Sequence, residues 1–154
     1  MNPRFLLSAA LVSAVSLFSS SSLAHHSLAS FDVSTGLWIK GTVVRFDRVN
    51  PHSVVVVDEK MPDGQLRRWA VDGPSTPQLE RRGLDQEFLR TGDVIEFCGF
   101  ALKEAVTSQR PASTPGEVMN GVLLVTPDGK KRAWSPYGQL VKCVSPEEAS
   151  SLIP

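Results

Sequence analysis

The sequence has few of the residues from which metal, redox and nucleic-acid sites are usually built. Only three histidines and two cysteines occur in 154 residues, and no Cys-x-x-Cys pair is present, so neither structural zinc nor a thiol redox motif is indicated. Lysine plus arginine and aspartate plus glutamate both total 16, so no excess charge favours nucleic acid. No Gly-rich phosphate loop, nucleophile elbow or Ser-His-Asp order occurs, which argues against the common nucleotide-binding and hydrolytic classes.

The N-terminal residues have the three-part layout of a secretory signal peptide. Arg4 is followed by the uncharged apolar run "FLLSAALVSAVSLF", by several serines and by the small residues of Ser22-Leu23-Ala24. The apolar run falls short of the roughly 20 residues that a membrane-spanning helix needs, which favours cleavage over a retained anchor. We therefore expect a signal peptide at 1–24 and a periplasmic or secreted mature chain that begins at His25 and does not associate with a membrane.

Alternation of apolar and polar side chains predicts a domain rich in β-strands. Residues 37–48 alternate in this way, and the valine run "HSVVVVDEK" predicts a more fully buried second strand. The turn at Pro62-Asp63-Gly64 returns the chain as a third strand over 65–73. The first half of the mature chain therefore predicts three consecutive strands, of which the last two form a hairpin.

The second half predicts one short helix and two or three more strands. Ser75 or Thr76 with Pro77 predicts the start of a helix near 76–89, and "TGDVIEFCGFAL" predicts strand four. A polar loop then leads to a hairpin about Pro127-Asp128-Gly129. This order predicts an all-β fold with one short helix, a small OB-like Greek-key barrel of five to six strands. A β-sandwich would accept the same strands but explains the central helix less well.

One domain of modest size is expected after cleavage. It comprises an N-terminal segment at 25–36, the barrel at 37–145 and a tail at 146–154. Cys98 and Cys143 lie in apolar, strand-like surroundings, and disulfides persist in exported proteins, so we predict a bridge between them. Their Cα atoms should then be about 4.4–6.8 Å apart. Two unpaired buried thiols are the alternative.

Several short motifs follow one another in a recognisable order: "AHHS" at the mature start, "GTVV", "NPH", "WAVDG" and "LRTGDVI". Together they resemble a family of small exported bacterial proteins classed as a domain of unknown function, over roughly residues 24–135. Leu28 and Asp72 depart from that family's pattern, which usually has phenylalanine and glutamate there. The resemblance implies that His25, His26 and His52 occupy the family's recurring histidine positions, and it implies no activity.

The three histidines are the residues on which a metal site would depend. A free N-terminal His25 offers an α-amine and an imidazole that together chelate a metal, and one more imidazole completes a three-nitrogen set suited to copper. We predict that His26 and His52 meet His25 at one surface site, with Phe31 anchoring the leading segment. Copper is favoured over zinc. The alternatives are a flexible polar start at His25-His26 and a turn histidine at His52.

A second hypothesis is a non-metal ligand-binding or protein-interaction module that uses the barrel face. Its platform would be Trp38, Trp69 and Trp134, which lie on three separate strand candidates, although core or rim positions would also explain them. An enzyme is the least favoured class, because nothing indicates a substrate cleft, and no catalytic residue is assigned. The expected ligand is a metal ion or a small molecule, and the sequence does not identify a protein partner.

Overall fold

The computed structural model describes residues 28–85, 87–107, 113–135 and 137–153. Its strands are β1 (Leu37–Asp47), β2 (Val54–Lys60), β3 (Leu66–Asp72), β4 (Val94–Ala101), β5 (Glu117–Val125) and β6 (Lys131–Ala133). Its helices are α1 (Thr76–Arg81), α2 (Glu104–Thr107), α3 (Tyr137–Leu140) and α4 (Pro146–Leu152), and a 3₁₀ turn occupies Leu28–Ser30. None of the described helices is long and apolar enough to cross a bilayer.

The strands close into a barrel through one parallel pairing. The antiparallel order is β3-β2-β1-β4-β5-β6, and β3 also pairs with β5, with Trp69 opposite Glu117 and Asp72 opposite Asn120. Five strands therefore form a closed barrel, and β6 extends β5 outside it. Since α1 lies between β3 and β4, this is the connectivity of an OB-type Greek key, and the predicted fold class is confirmed.

The barrel interior is filled by side chains that point inwards from its strands. Val55, Val57 and Val71 are 0–1% exposed. Phe97 meets Trp134 edge to face, with ring centroids 5.4 Å apart. Aliphatic and aromatic side chains that alternate inwards along each strand thus build one continuous apolar core.

Helix α1 closes one part of this core. The backbone N–H of Ser75 donates to Gln78 Oε1 at 2.9 Å, and Pro77 lies in the first turn, where its missing N–H costs nothing. Leu79, the fully buried residue of α1, packs against the barrel core. The helix lies within the predicted region near 76–89, and it ends at Arg81 because Gly83 adopts a φ of +70° just beyond Arg82.

A second apolar cluster lies on the other face of β4 and β5. It joins Phe100 and Leu123 to residues of the C-terminal segment, among them Leu140 and Ala149. The disulfide between Cys98 and Cys143 lies in this cluster, with its Cα atoms 5.9 Å apart, so the predicted bridge is confirmed. The bridge fixes the C-terminal helices against the outside of the barrel.

Candidate functional site

His52 lies in the connection between β1 and β2, on a backbone that is held from both sides. Pro51 breaks the strand pattern, and the neighbouring Ser53 is fully buried. The N–H and the hydroxyl of Ser53 both donate to the carbonyl of Pro74, at 3.1 and 2.8 Å, and its own carbonyl accepts from the N–H of Gly73 at 2.8 Å. These bonds fix the backbone next to His52 against the end of β3.

The imidazole of His52 approaches a carboxylate at the end of β3. Its Nδ1 lies 3.2 Å from Asp72 Oδ2, and its side chain is 32% exposed. The approach follows from strand register, because Asp72 pairs with Val54, two residues beyond His52. A proton on Nδ1 would be stabilised by the charge of this carboxylate, and the lone pair would then lie on Nε2. That tautomer is the one in which Nε2 can bind a metal.

A cleft of about 730 Å³ opens beside this pair, over the outer faces of β2, β3 and β5. Its polar lining includes His52, Asp72 and Asn120, and an ion pair between Arg45 and Asp47 (2.6 Å) lies at its edge. Most of the remaining lining is apolar: Leu28, Phe31, Val54, Ala70, Leu102, Val106, Pro115 and Val118. The cleft therefore offers an apolar surface with a few polar groups at one end, the usual make-up of a small-ligand site.

The first described residues of the chain line the same cleft as His52. They are fixed to the end of β4: Asp32 N–H donates to the carbonyl of Ala101 at 2.9 Å, and the Lys103 ammonium donates to the carbonyl of Ala29 at 2.8 Å. Phe31, the predicted anchor, forms a β-bridge with Leu102 and packs against the outer apolar cluster. The segment that follows the two leading histidines is thus held at the His52 end of the barrel.

The predicted metal ligands fall partly outside the described residues. His25 and His26 lie there, as does the predicted signal peptide, and His52 is the one candidate ligand whose position is given. Within the described residues, no group of three or more His, Cys, Asp and Glu side chains is placed to hold a metal ion.

The three tryptophans do not form one exposed surface. Trp38 is 41% exposed, near the start of β1, whereas the cleft residues Arg45 and Asp47 lie near its other end. Trp69 is 5% exposed, and its Nε1 donates to Glu59 Oε2 at 2.8 Å. Trp134 is 1% exposed inside the barrel. Trp69 and Trp134 therefore have the core positions that the sequence also allowed, and Trp38 has a separate surface position.

Two residues of the cleft were not assigned a role from the sequence. Asp72 could have been found by counting outwards from the Pro62-Asp63-Gly64 turn, because the hairpin register pairs it with Val54. Asn120 reaches the cleft through the parallel pairing of β3 with β5, for which no local pattern exists. Its Oδ1 is buried and accepts no hydrogen bond within the part of the chain that the structure describes.

Comparison with known proteins adds a family and no function. The model of a family of unknown function, DUF6152, matches residues 12–109, which is well over half of the chain. The match includes all three histidines and Asp72, and it ends before Trp134 and Cys143. No curated protein matches the chain.

Proposed function

The chain belongs to this family of unknown function, as its motifs predicted, and we propose that it is an exported metal-binding module, with copper favoured. The ligands would be the α-amine and imidazole of His25, with His26 and His52. The observation that supports this most is the shared cleft: the residues from Leu28 onwards line the same cavity as His52. The disulfide is consistent with an oxidising compartment such as the periplasm.

Covalent geometry limits how far the leading histidines can lie from Leu28. Successive Cα atoms are 3.8 Å apart, so the Cα of His26 lies within about 8 Å of that of Leu28, and the Cα of His25 within about 11 Å. Leu28 and His52 both line the cleft. This short reach from a residue of the cleft supports a site shared between the N-terminus and His52.

The ligand chemistry favours copper. An amine and an imidazole on one residue form a chelate, and a further imidazole adds a third nitrogen. Nitrogen ligands of this kind suit copper, whereas magnesium, calcium and manganese are bound mainly by oxygen ligands. Asp72 would hold His52 in the tautomer that presents Nε2. This proposal gives Asp72 a positioning role and assigns no catalytic residue.

A titration with Cu(II) tests this proposal. Mature protein whose first residue is verified as His25 by mass spectrometry should bind at least ten-fold more tightly than a matched variant that retains Ala24, because the extra residue removes the amine from the chelate. His52→Asn should also weaken binding and change the nitrogen couplings in the copper EPR spectrum. Equally weak binding by all three proteins would contradict the proposal.

A second candidate function is favoured by the position of the cleft. It lies over β2 and β3 and between the β1–β2 and β4–β5 connections, where OB folds bind oligosaccharides and oligonucleotides. In this alternative the apolar lining, including Ala70 and Val118, binds a small molecule without a metal, and the tryptophans take no part. An NMR screen of metal-free protein with neutral oligosaccharides should shift the amides of these residues, and unchanged amides would count against it.

A further inference from the structure

We propose that a second pocket, lined by Arg81, Arg82 and Arg132, binds an oxyanion of the phosphate class. The pocket has a volume of about 260 Å³ and lies between the end of α1, strand β6 and the end of α4. Lys131 and a small apolar surface complete it, the latter formed by Leu84, Ala133, Leu152 and Ile153. None of these residues lines the His52 cleft, so this site does not depend on the proposed metal site.

The positive charge of the pocket is only partly compensated. Lys131 pairs with Glu148 at 2.6 Å, but the side chains of Arg81 and Arg132 form no hydrogen bond or ion pair with any residue that the structure describes. Arg81-Arg82 and Lys131-Arg132 are fifty positions apart in the sequence, and the fold brings them together in one pocket. The C-termini of α1 and α4 also lie at the pocket, and they offset part of this charge, since a helix C-terminus carries partial negative charge. Like charges that are gathered in a concave site favour an anionic ligand.

Arg82 is oriented in advance for such a ligand. Its Nη1 donates to the carbonyl of Trp134 at 2.7 Å, which fixes the guanidinium at the wall of the pocket. Burial lowers the pKa of Arg82, and the neighbouring charge of Arg81 lowers it further. An anion in the pocket would oppose this lowering of the pKa, because it stabilises the charged guanidinium. The planar guanidinium matches the oxygen geometry of phosphate and can donate two parallel hydrogen bonds to it.

The test compares two double variants that lose the same charge. Arg81→Gln/Arg132→Gln removes the two unpaired arginines of the pocket, whereas Arg67→Gln/Arg90→Gln removes two exposed arginines elsewhere. Arg82 is kept, because its bond to Trp134 also supports the fold. Thermal melting and the thiol count of each variant verify that the barrel and its disulfide are intact.

Inorganic phosphate at low ionic strength is the first probe, measured by calorimetry. We expect wild type and the Arg67/Arg90 variant to bind it, and the Arg81/Arg132 variant to lose at least ten-fold in affinity. Vesicles of phosphatidylglycerol, with phosphatidylcholine as control, form the second arm. Loss confined to the anionic vesicles would identify a lipid headgroup as the source of the phosphate. Equal responses of the two variants to both probes, or no binding by wild type, would overturn the proposal.

Discussion

The indole of Trp134 packs against Gly73 and Gly121, and neither position has room for a side chain. A Cβ atom at Gly73 would lie 2.5 Å from Trp134 Nε1 and 2.7 Å from Ser53 Oγ, and one at Gly121 would lie 2.7 Å from Trp134 Cδ1. Ser53 adjoins His52, so the same contact also supports the backbone of the candidate site. A single methyl group at position 73 therefore bears on both the core and the cleft.

We predict that Gly73→Ala lowers the free energy of unfolding by about 1–3 kcal/mol, as overpacking of a filled core typically does. Denaturant titration of the purified protein measures this cost. The same substitution in a Trp134→Phe background is the control, because the smaller ring leaves room for the methyl group. If Gly73→Ala costs as much in that background, contact with the indole is not the cause.

Asp58 and Arg68 form the best-aligned exposed ion pair on the barrel. They face each other across β2 and β3, with Nε–Oδ1 and Nη2–Oδ2 distances both 2.7 Å. Hydrogen bonding from Arg68 holds the pKa of Asp58 below its ordinary value of 3.8, and the charge of the arginine adds to this effect. Because the folded-state pKa is lowered, the pair stabilises the fold above pH 3.8 and loses that contribution as the pH falls through the lowered pKa.

We predict that Asp58→Asn lowers the free energy of unfolding at neutral pH by about 0.2–1 kcal/mol, the range for exposed pairs. The difference from wild type should shrink as the pH falls below 3.8. Urea unfolding at a series of pH values measures this. Asp63→Asn in the neighbouring turn serves as the control, because the carboxylate of Asp63 has no arginine partner among the residues that the structure describes. A difference that is independent of pH would show that the carboxylate charge is not its origin.

At the scale of elements, the disulfide joins the barrel to the C-terminal helices. Cys98 is fully buried in β4, and Cys143 lies between α3 and α4. Gly36 packs against both sulfurs, since a Cβ atom there would lie 2.6 Å from Cys98 Sγ and 3.1 Å from Cys143 Sγ. The bridge thus secures the C-terminal helices at a place where the chain leading into β1 also passes.

We predict that Cys98→Ala/Cys143→Ala lowers the free energy of unfolding by about 3–4 kcal/mol, because the unfolded chain regains the entropy of the open loop. Hydrogen exchange should show the amides of α4 losing protection before those of β1. Wild type after reduction should behave in the same way as the double variant. Uniform loss of protection across both elements would instead mean that the bridge stabilises the whole barrel equally.

Local patterns predicted the strands and failed where distant segments meet. The alternation from Leu37 to Asp47 and the Pro62-Asp63-Gly64 turn place β1 to β3, because each depends on neighbours in sequence. The pairing of Trp69 with Glu117 closes the barrel, yet no local signal specifies it. Trp134 has the sequence surroundings of a strand residue. Its core position depends on Gly73 and Gly121, which belong to other segments of the chain.

The candidate site was predictable to a similar extent. The break at Asn50-Pro51 places His52 at the end of a strand, and that follows from the residues alone. The approach of Asp72 to His52 depends on hairpin register, and the cleft depends on barrel closure, so both needed the fold. Whether His25 and His26 meet His52 stays a prediction.

At the scale of the whole molecule, the cleft exists only because the barrel is closed between β3 and β5. Ala70 and Asp72 come from β3, whereas Val118 and Asn120 come from β5, and the parallel pairing brings the two strands together. Gly116 leads into β5 at the β3–β5 pairing, which we call the seam, and it has a φ of +69°. A Cβ atom there would lie 2.1 Å from the carbonyl oxygen of Arg68. The seam therefore requires a residue without a side chain.

We predict that Gly116→Ala destabilises the protein more than Gly129→Ala, by about 1–3 kcal/mol in the free energy of unfolding. Both glycines have positive φ, +69° and +78°, so both variants incur the cost of a left-handed alanine, about 1–2 kcal/mol. Only the methyl group at 116 meets backbone, since nothing lies within 4 Å of the position at 129. Opening of the seam should also shift the NMR signals of the Ala70 and Val118 amides in Gly116→Ala and leave them unchanged in Gly129→Ala. Equal costs and unchanged cleft amides would mean that the β3–β5 seam accommodates the methyl group and does not require glycine at position 116.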